Sequence, residues 1–541
     1  MFINRTICSL VIILLATWDT TSAQTWLTQG RESAHHRGVY QVVLRAETTI
    51  SDPWFIEIVQ VTFARPDGSE VTVDGFYNGN DQWIARAYCD AVGAWKWRSV
   101  SDIPGLSEKS GSFQVTPSEL PGKLRIHPDD PYQFAYDNGD WYLHIGDTGY
   151  RYVVATEPYW REYIDQAAEA GFTKIRTWYA QSRNNIEACF TPDRSALNLP
   201  YWQEMERRLL YAFNTYPHIQ IHLIPYAEDT EELKRYGAGD IPSQTVAQYS
   251  QARWSSFPNV HWVFSNDREV VPDGTELKGR RVPRSIINQI GRDMKAREPW
   301  DTLLSNHQSR FKGYDFVDAD WSDIITLEDL DQVSGQLLLD YRAKGQAPAI
   351  LDEDRYERYR RPTNPRYFFR RFMWASLLSG GHATYGGLRM YEAWDGTPYR
   401  GTQGYYDACR RGTLYQGAHD FIRIHQFFRE AQLTLVGMTP DDALVGGNPL
   451  KWKCAHGNDT WLVFLANPDG DDPCTDNGSI LQAQVTLTLP MGAYTVRWFD
   501  PAEGAWYDGE NVNGGAHTLS APAPDYASPV RPDWVLLIRK M

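Results

Sequence analysis

The sequence predicts a multidomain chain of α/β plus β class: a (β/α)8 TIM barrel flanked by N- and C-terminal β-sandwiches. Three observations predict it. The chain has 541 residues, and at about 100–200 residues per domain that length leaves room for two to four domains. Both ends alternate apolar and polar residues with the period of half-buried strands. The middle alternates short, almost continuously apolar strands with longer helical patterns, the signature of a parallel sheet.

The first 23 residues read as a signal peptide. Arg5 supplies a positive start, Ile7 to Ala16 an apolar run short of a comfortable membrane span, and Thr21 and Ala23 the small residues of a cleavage site. The mature chain is expected to begin near Gln24, to carry no membrane span and to be secreted or periplasmic. Of six cysteines, Cys8 leaves with the signal. The odd remainder implies at least one free thiol or an intermolecular bond, and Cys454 and Cys474 flank a hairpin-like segment as the best candidates for a disulfide.

Residues 24–120 are expected to form an immunoglobulin-like sandwich. Val39–Leu44, Ile56–Phe63 and Glu70–Val73 alternate as strands, and Pro66-Asp67-Gly68 and Asn78-Gly79-Asn80 supply turns. Trp95 and Trp97 are assigned to its core. Residues 121–430 carry eight strand candidates: Trp141–Asp147, Phe172–Trp178, Ile219–Pro225, Val260–Asn266, Thr302–Asn306, Asp323–Leu327, Pro348–Glu353 and His382–Gly386. Helical patterns over Tyr159–Ala170, Tyr201–Thr215, Ser243–Ser255, Arg284–Arg297, Leu330–Lys344 and Pro365–Ser379 separate most of them, and Asp407–Phe428 follows the last. Eight such units in this length imply a closed barrel. A doubly wound open sheet is the alternative, weakened by the lack of a GxGxxG after the first strand. Residues 431–541 return to alternation at Thr460–Ala466, Gln482–Leu489, Tyr494–Trp498 and Trp534–Ile538 and are read as a smaller accessory sandwich.

The formal charge of −15 argues against a nucleic-acid partner, which needs a basic footprint. There is no CxxC, HExxH, GxSxG or Walker A loop, so neither a metal nor a cofactor is assigned. The acidic loop Asn467–Asp472 lacks EF-hand spacing and reads as a solvated turn. The Arg355–Arg361 run, with Tyr356 and Tyr359 inside it, reads as a contact for an acidic sugar or, in the favoured reading, as a solvated charge run.

In a barrel the chemistry sits at the C-terminal strand ends. Those ends here carry Asp147, Arg176, Trp178, His222, Tyr226, Asn266, Asp267, His307, Glu328, the Asp352-Glu353-Asp354 run, His382 and Tyr385. Asp267 and Glu353, after strands four and seven, stand out. Two carboxylates across a barrel mouth flank a glycosidic bond well: one protonates the leaving oxygen, and the other attacks the anomeric carbon or activates a water. Each alone is equally readable as a helix cap or an ion-pair partner. Asn266 is placed to bond a sugar hydroxyl. Asp147 is a substrate ligand or a turn cap, and Arg176 a carboxylate partner or a structural ion pair. His222, Glu328, His307 and His382 are candidates to line the pocket, and Trp178, Tyr226 and Tyr385 to face sugar rings.

Leu143-His-Ile-Gly-Asp-Thr148, Gly171-Phe-Thr-Lys-Ile175, Pro258-Asn-Val-His-Trp-Val-Phe-Ser-Asn-Asp267, Ala347-Pro-Ala-Ile-Leu-Asp-Glu353 with Tyr356-Glu357, and His382-Ala-Thr-Tyr-Gly386 resemble the strand motifs of apiosidase-like glycoside hydrolases. The N-terminal region is similar to the β-sandwich that precedes such barrels in bacterial polysaccharidases. Trp498-Phe-Asp-Pro501 and Asp533-Trp534-Val-Leu536 resemble the following module named for collagen binding. The resemblance implies a catalytic pair of Asp267 and Glu353 acting on a plant or algal polysaccharide or an oligosaccharide derived from one. Two departures stand beside it. The fourth strand ends Ser-Asn-Asp where the family often has Gly-Gly-Asp, and the seventh segment is one residue short before Tyr356. The second leaves Asp352 and Asp354 as rivals to Glu353. A non-catalytic glycan- or matrix-binding protein on a decayed barrel is the alternative reading.

Overall fold

The computed structural model describes residues 25–54, 58–154, 157–180, 189–227, 230–330, 332–357, 365–387, 416–457, 459–466, 483–522 and 533–541. The signal segment, the acidic loop, the arginine run beyond Glu357, Cys409, Cys474 and the start of the expected last helix lie outside them. Cys454 is buried and free; its expected partner Cys474 lies outside the described residues. Among the described residues no helix is long and apolar enough to cross a membrane.

The N-terminal region packs a four-stranded sheet against a five-stranded one. Alternation sends Phe113 and Val115 of Ser110–Thr116 inward, where Tyr40 stacks on Phe113 and Phe113 on Trp95. Trp97, two residues on from Trp95, is only partly buried. It lies against Gly111, where a Cβ would come within 2.7 Å of the indole nitrogen. Arg86 ties this region to the barrel through Glu206, at 2.7 Å. Burial raises the Glu206 carboxyl, but Arg253 and Arg86 outweigh it and hold it at about 2.

All eight expected strands form one parallel sheet: β1 (Ile145–Asp147), β2 (Lys174–Trp178), β3 (Gln220–Ile224), β4 (Val260–Val263), β5 (Leu304–Ser305), β6 (Ile325–Glu328), β7 (Ala349–Glu353) and β8 (His382–Tyr385). The order runs from β5 back to β1 and on through β8 to β6, and a parallel bridge between His307 and Thr326 joins the two ends. The open doubly wound alternative is thereby replaced by a barrel. Its helices are α1 (Tyr159–Glu169), α2 (Leu199–Thr215), α3 (Thr230–Gly237), α4 (Ile241–Trp254), α5 (Arg284–Arg297), α6 (Gln336–Arg342), α7 (Pro365–Leu378) and α8 (Phe421–Ala431).

Three elements differ from expectation. Trp141-Tyr142 leaves the first strand to pair antiparallel with Asp130–Tyr136 in a separate three-stranded sheet. Helix α6 starts only after Gly335, whose φ of 66° breaks the helical path. Helix α3 is short and half charged, so its apolar stripe of Leu233 and Tyr236 is too brief to stand out as a period.

Among the described residues the C-terminal region is one seven-stranded sheet. Its long strand Gln484–Asp500 is irregular between Leu489 and Ala493. The part before this point pairs with Val512–Ser520, and the part after it pairs with Trp534–Lys540. Val485 and Leu487 from the first part therefore share a core with Trp498, Leu536 and Val463. Helix α7 packs between the barrel and this sheet, against Trp452–Gly457 and Thr460–Leu465, which is why it is buried nearly all round. From α7, Arg370 bonds Asp533 at 2.8 Å and Asp420 at 2.7 Å, all three side chains being buried. Removing the cation breaks the ion pair of the buried Asp533, while Asp420 keeps Arg366 and Arg423, so Arg370→Met is expected to cost about 3–5 kcal/mol. Denaturant titration checks this; an unchanged midpoint contradicts it.

Candidate active site

The barrel interior is built from the bottom up around one buried anion. Lys174 at the start of β2 bonds Asp352 of β7 with both side chains fully buried. Thr384 donates to Asp352 Oδ1 at 2.7 Å, Arg176 Nε lies 3.6 Å from Oδ2, and His222 Nδ1 lies 3.5 Å from it. Burial pushes the Asp352 carboxyl up, but Lys174, Arg176 and His222 more than reverse this and hold it well below the ordinary range. Burial lowers Lys174 to about 8 and His222 to about 4. Gly146 on β1 makes room for this layer: a Cβ there would meet Thr384 Oγ1 at 2.6 Å and Lys174 Cδ at 3.0 Å.

One layer higher lies Glu353. Successive strand residues normally face opposite sides, yet Asp352 and Glu353 both reach groups of the barrel interior. The register of β6 against β7 shifts between Leu327 and Glu328, so that Leu327 pairs with Leu351 and Glu328 with Glu353. Such irregularities re-aim side chains beside active sites. This one sets Glu353 at the mouth and Glu328 beside it. Tyr150 OH donates to Glu353 Oε2 at 2.5 Å, Tyr356 OH donates to Oε1, and Arg176 Nη1 lies 3.3 Å from Oε2. Burial and the charge of Asp267 raise the Glu353 carboxyl against the opposing pull of Arg176 and the two phenols. Its rivals are committed elsewhere: Asp352 is locked to Lys174, and Asp354 accepts from the backbone N–H groups of Gln332 and Arg355.

Asp267 sits past β4 with a left-handed φ of 57°, a conformation that Asp tolerates better than most residues. Its N–H donates to His307 Nδ1 at 3.3 Å, Ser309 Oγ donates to its carbonyl at 2.8 Å, and Arg280 pairs with its carboxylate. Its side chain keeps 17 % of its surface exposed and that of Glu353 10 %. Asn266 accepts from Arg176 Nη2, so one guanidinium contacts residues of β7 and the segment after β4. Glu328 pairs with Arg310. Ligand atoms of His307, Glu328 and Glu353 lie within 4.8 Å of one another. Trp178 stacks on Tyr150 at 4.5 Å, in an apolar cluster with Ile224, Val263 and Tyr356 beside Glu353.

Five expected pocket residues are placed otherwise. His382 opens β8 at the end opposite the mouth and contacts the carbonyl of Tyr132 at 3.2 Å. Tyr226 reaches out to α4, donating to the Ser243 carbonyl at 2.6 Å. Tyr385 packs among Phe172, Phe369 and Phe421 and donates to Glu357. Asp147 takes Tyr163 OH at 2.5 Å and the Gly387 N–H at 3.3 Å, and burial raises its carboxyl to about 6. His222 stacks on His261 below the mouth. Sequence reasoning missed Tyr150, Arg280 and Arg310, which come from turns and loops, and set Tyr356 in a solvated run, whereas it is buried and donates to Glu353.

A parallel barrel with paired carboxylates at its C-terminal mouth is an architecture of glycoside hydrolases. The chain belongs to the apiosidase-like family: the model of its catalytic domain matches residues 129–434. Residues 35–102 match a domain of unknown function, DUF5060. Among solved structures, the chain is similar to a "putative glycoside hydrolase" from Bacteroides vulgatus, with 18 % identity, TM-score 0.70, and coverage of 94 % of this chain and 100 % of that one. It is similar to a glycoside hydrolase of family 5 from the same organism, with 13 % identity, TM-score 0.59, and coverage of 79 % and 95 %. A third structure, a glycoside hydrolase, shows 14 % identity, TM-score 0.58, and coverage of 78 % and 98 %. At these identities the likeness is one of fold. No curated protein matches the chain.

Proposed function

We propose that this chain is a secreted glycosidase that cleaves a plant or algal polysaccharide, or an oligosaccharide from one, with Asp267 as general acid and Glu353 as nucleophile or base. The observation that carries the reading is the clamping of Glu353 by Tyr150, Tyr356 and Arg176 beside a partly open Asp267. Asp267 protonates the glycosidic oxygen as the bond to the anomeric carbon breaks. Glu353 either takes a proton from the attacking water, or attacks that carbon itself and is then displaced by a water that Asp267 deprotonates, and the anomer released first tells the two apart. The export reading of residues 1–23 and the module boundaries near 120 and 430 belong to the same proposal. The test is a reducing-sugar screen over plant and algal polysaccharides with Glu353→Ala as control. Release by the wild-type protein alone supports the reading; glycan binding with no release across the panel favours the non-catalytic alternative.

Glu353 must be ionised to act, so activity is expected to fall on the acid side at a pH above the ordinary carboxylate range. The Tyr150 hydroxyl favours the ionised form. Tyr150→Phe is therefore expected to move the acid limb up by about one pH unit. A pH–rate profile with an unmoved limb contradicts that role.

A further inference from the structure

We propose that the chain carries a second saccharide-binding site outside the barrel wall, in the cleft between helix α4 and the N-terminal region. It takes a neutral oligosaccharide and performs no chemistry on it. The site goes beyond the proposed hydrolysis and does not depend on it. A cavity of about 450 Å³ lies in this cleft, within the range of about 300–1,000 Å³ usual for small-ligand sites. Among the described residues, its lining includes none of the groups placed at the barrel mouth.

Helix α4 turns one long stripe to the cavity: Ile241, Gln244, Thr245, Gln248, Tyr249 and Ala252 recur every three or four residues. A helix that only sealed two packed regions together would carry an apolar stripe there. This one carries two amides and a hydroxyl. Across the cleft stand Trp54, Asp74 and the short strand Phe76–Tyr77. Trp54 makes T-shaped contacts with Tyr77 at 4.8 Å and Tyr249 at 6.2 Å. Trp54 and Tyr77 both remain partly exposed. Half-exposed rings beside amides match a sugar, which has an apolar C–H face and a rim of hydroxyl groups.

An adjoining chamber of about 20 Å³ has room for one water or one hydroxyl group. Asp74, Gln248, Ala252 and Arg297 line both spaces. Three atoms of the chamber wall, Gln251 Oε1, Ser256 Oγ and Arg297 Nη1, are buried with no hydrogen-bond partner among the described residues. Gln251 and Ser256 are only 3 % and 2 % exposed. Gln251 Nε2 donates to the Met294 carbonyl at 2.8 Å, which fixes the amide and leaves Oε1 as the acceptor. Buried groups of this kind cost stability until a partner meets them. An acceptor, a hydroxyl and a guanidinium N–H together suit a sugar hydroxyl, which donates and accepts at once. A water fills the chamber alone, but it leaves the polar stripe and the rings in the larger cavity without a purpose. Asp74 and Arg297 balance in charge, which favours a neutral sugar over an acidic one.

Calorimetric titration of the whole chain carrying Glu353→Gln, so that no ligand is consumed, tests this. The probes are neutral hexasaccharides of glucose, xylose, mannose, galactose and arabinose. At least one is expected to bind. Adding Trp54→Ala should then remove one bound equivalent, or weaken it about tenfold or more. Adding Gln248→Trp instead, which fills the cavity from a partly exposed helix position, should do the same, and it decides alone if Trp54→Ala does not fold. Binding of none of the probes at millimolar concentration overturns the proposal, as does binding that either folded variant leaves intact. A wild-type protein that hydrolyses nothing refutes the proposed glycosidase, and the titration still judges this site.

Discussion

Glu353→Gln is expected to abolish glycoside hydrolysis, by about 10⁴-fold or more, without unfolding the chain. The amide keeps the shape of the carboxyl and can still accept from Tyr150 or Tyr356. It can neither attack an anomeric carbon nor take a proton from water. Stability should move the other way. The folded-state carboxyl is raised above its ordinary value, so its contribution is fully present at low pH and is lost as pH rises through the raised value. At pH 7 the ionised group is therefore a cost of the native state, and the glutamine removes it. A thermal midpoint at pH 7 equal to or above wild type, with activity gone, is the expected pair of results. A large fall in the midpoint would make Glu353 a structural residue.

Lys174→Met should have the opposite signature. The lysine is the closest cation to Asp352 in the barrel interior, and both side chains are fully buried. Its removal leaves Asp352 with Arg176 and His222 at 3.5–3.6 Å. Breaking a buried pair by removing one partner costs about 3–5 kcal/mol. The remaining anion should also draw Arg176 toward itself and away from Glu353. A double change, Lys174→Met with Asp352→Leu, removes both charges and should recover at least half of the loss. Denaturant midpoints of the two variants measure this. A single variant as stable as wild type contradicts the placement of the charge layer.

The eight strands were legible because each is short and apolar between turn-rich segments, and because strand–helix alternation admits few topologies. Asp267 and Glu353 followed from the rule that barrel chemistry gathers at strand ends. What the sequence hid was which face a side chain takes. Both faces of a buried parallel strand are apolar, so nothing local separates Arg176 and Trp178, which reach the mouth, from Tyr385, which packs among helices. Period-two alternation even predicts that Asp352 and Glu353 part company. The register shift that aims both inward depends on how β6 pairs with β7, not on either sequence alone. Arg280 and Arg310 were missed for a related reason, since loop cations find their carboxylates through long-range contacts that leave no pattern. His382 was misplaced because it begins its strand, and the strand-end rule favours only the other end.

The central claim is that Asp267 and Glu353 share one hydrolysis with different tasks. Turnover of an oligosaccharide and of an activated aryl glycoside of the same sugar, by Asp267→Asn and Glu353→Gln beside the wild type, tests it most directly. An activated phenol leaves without protonation. Asp267→Asn should therefore lose the oligosaccharide by about 10²–10⁴-fold and largely keep the bond-cleaving step of the aryl glycoside, read as release of the first equivalent of phenol, whereas Glu353→Gln should lose both. Near-wild-type turnover of either substrate by Glu353→Gln would contradict the account.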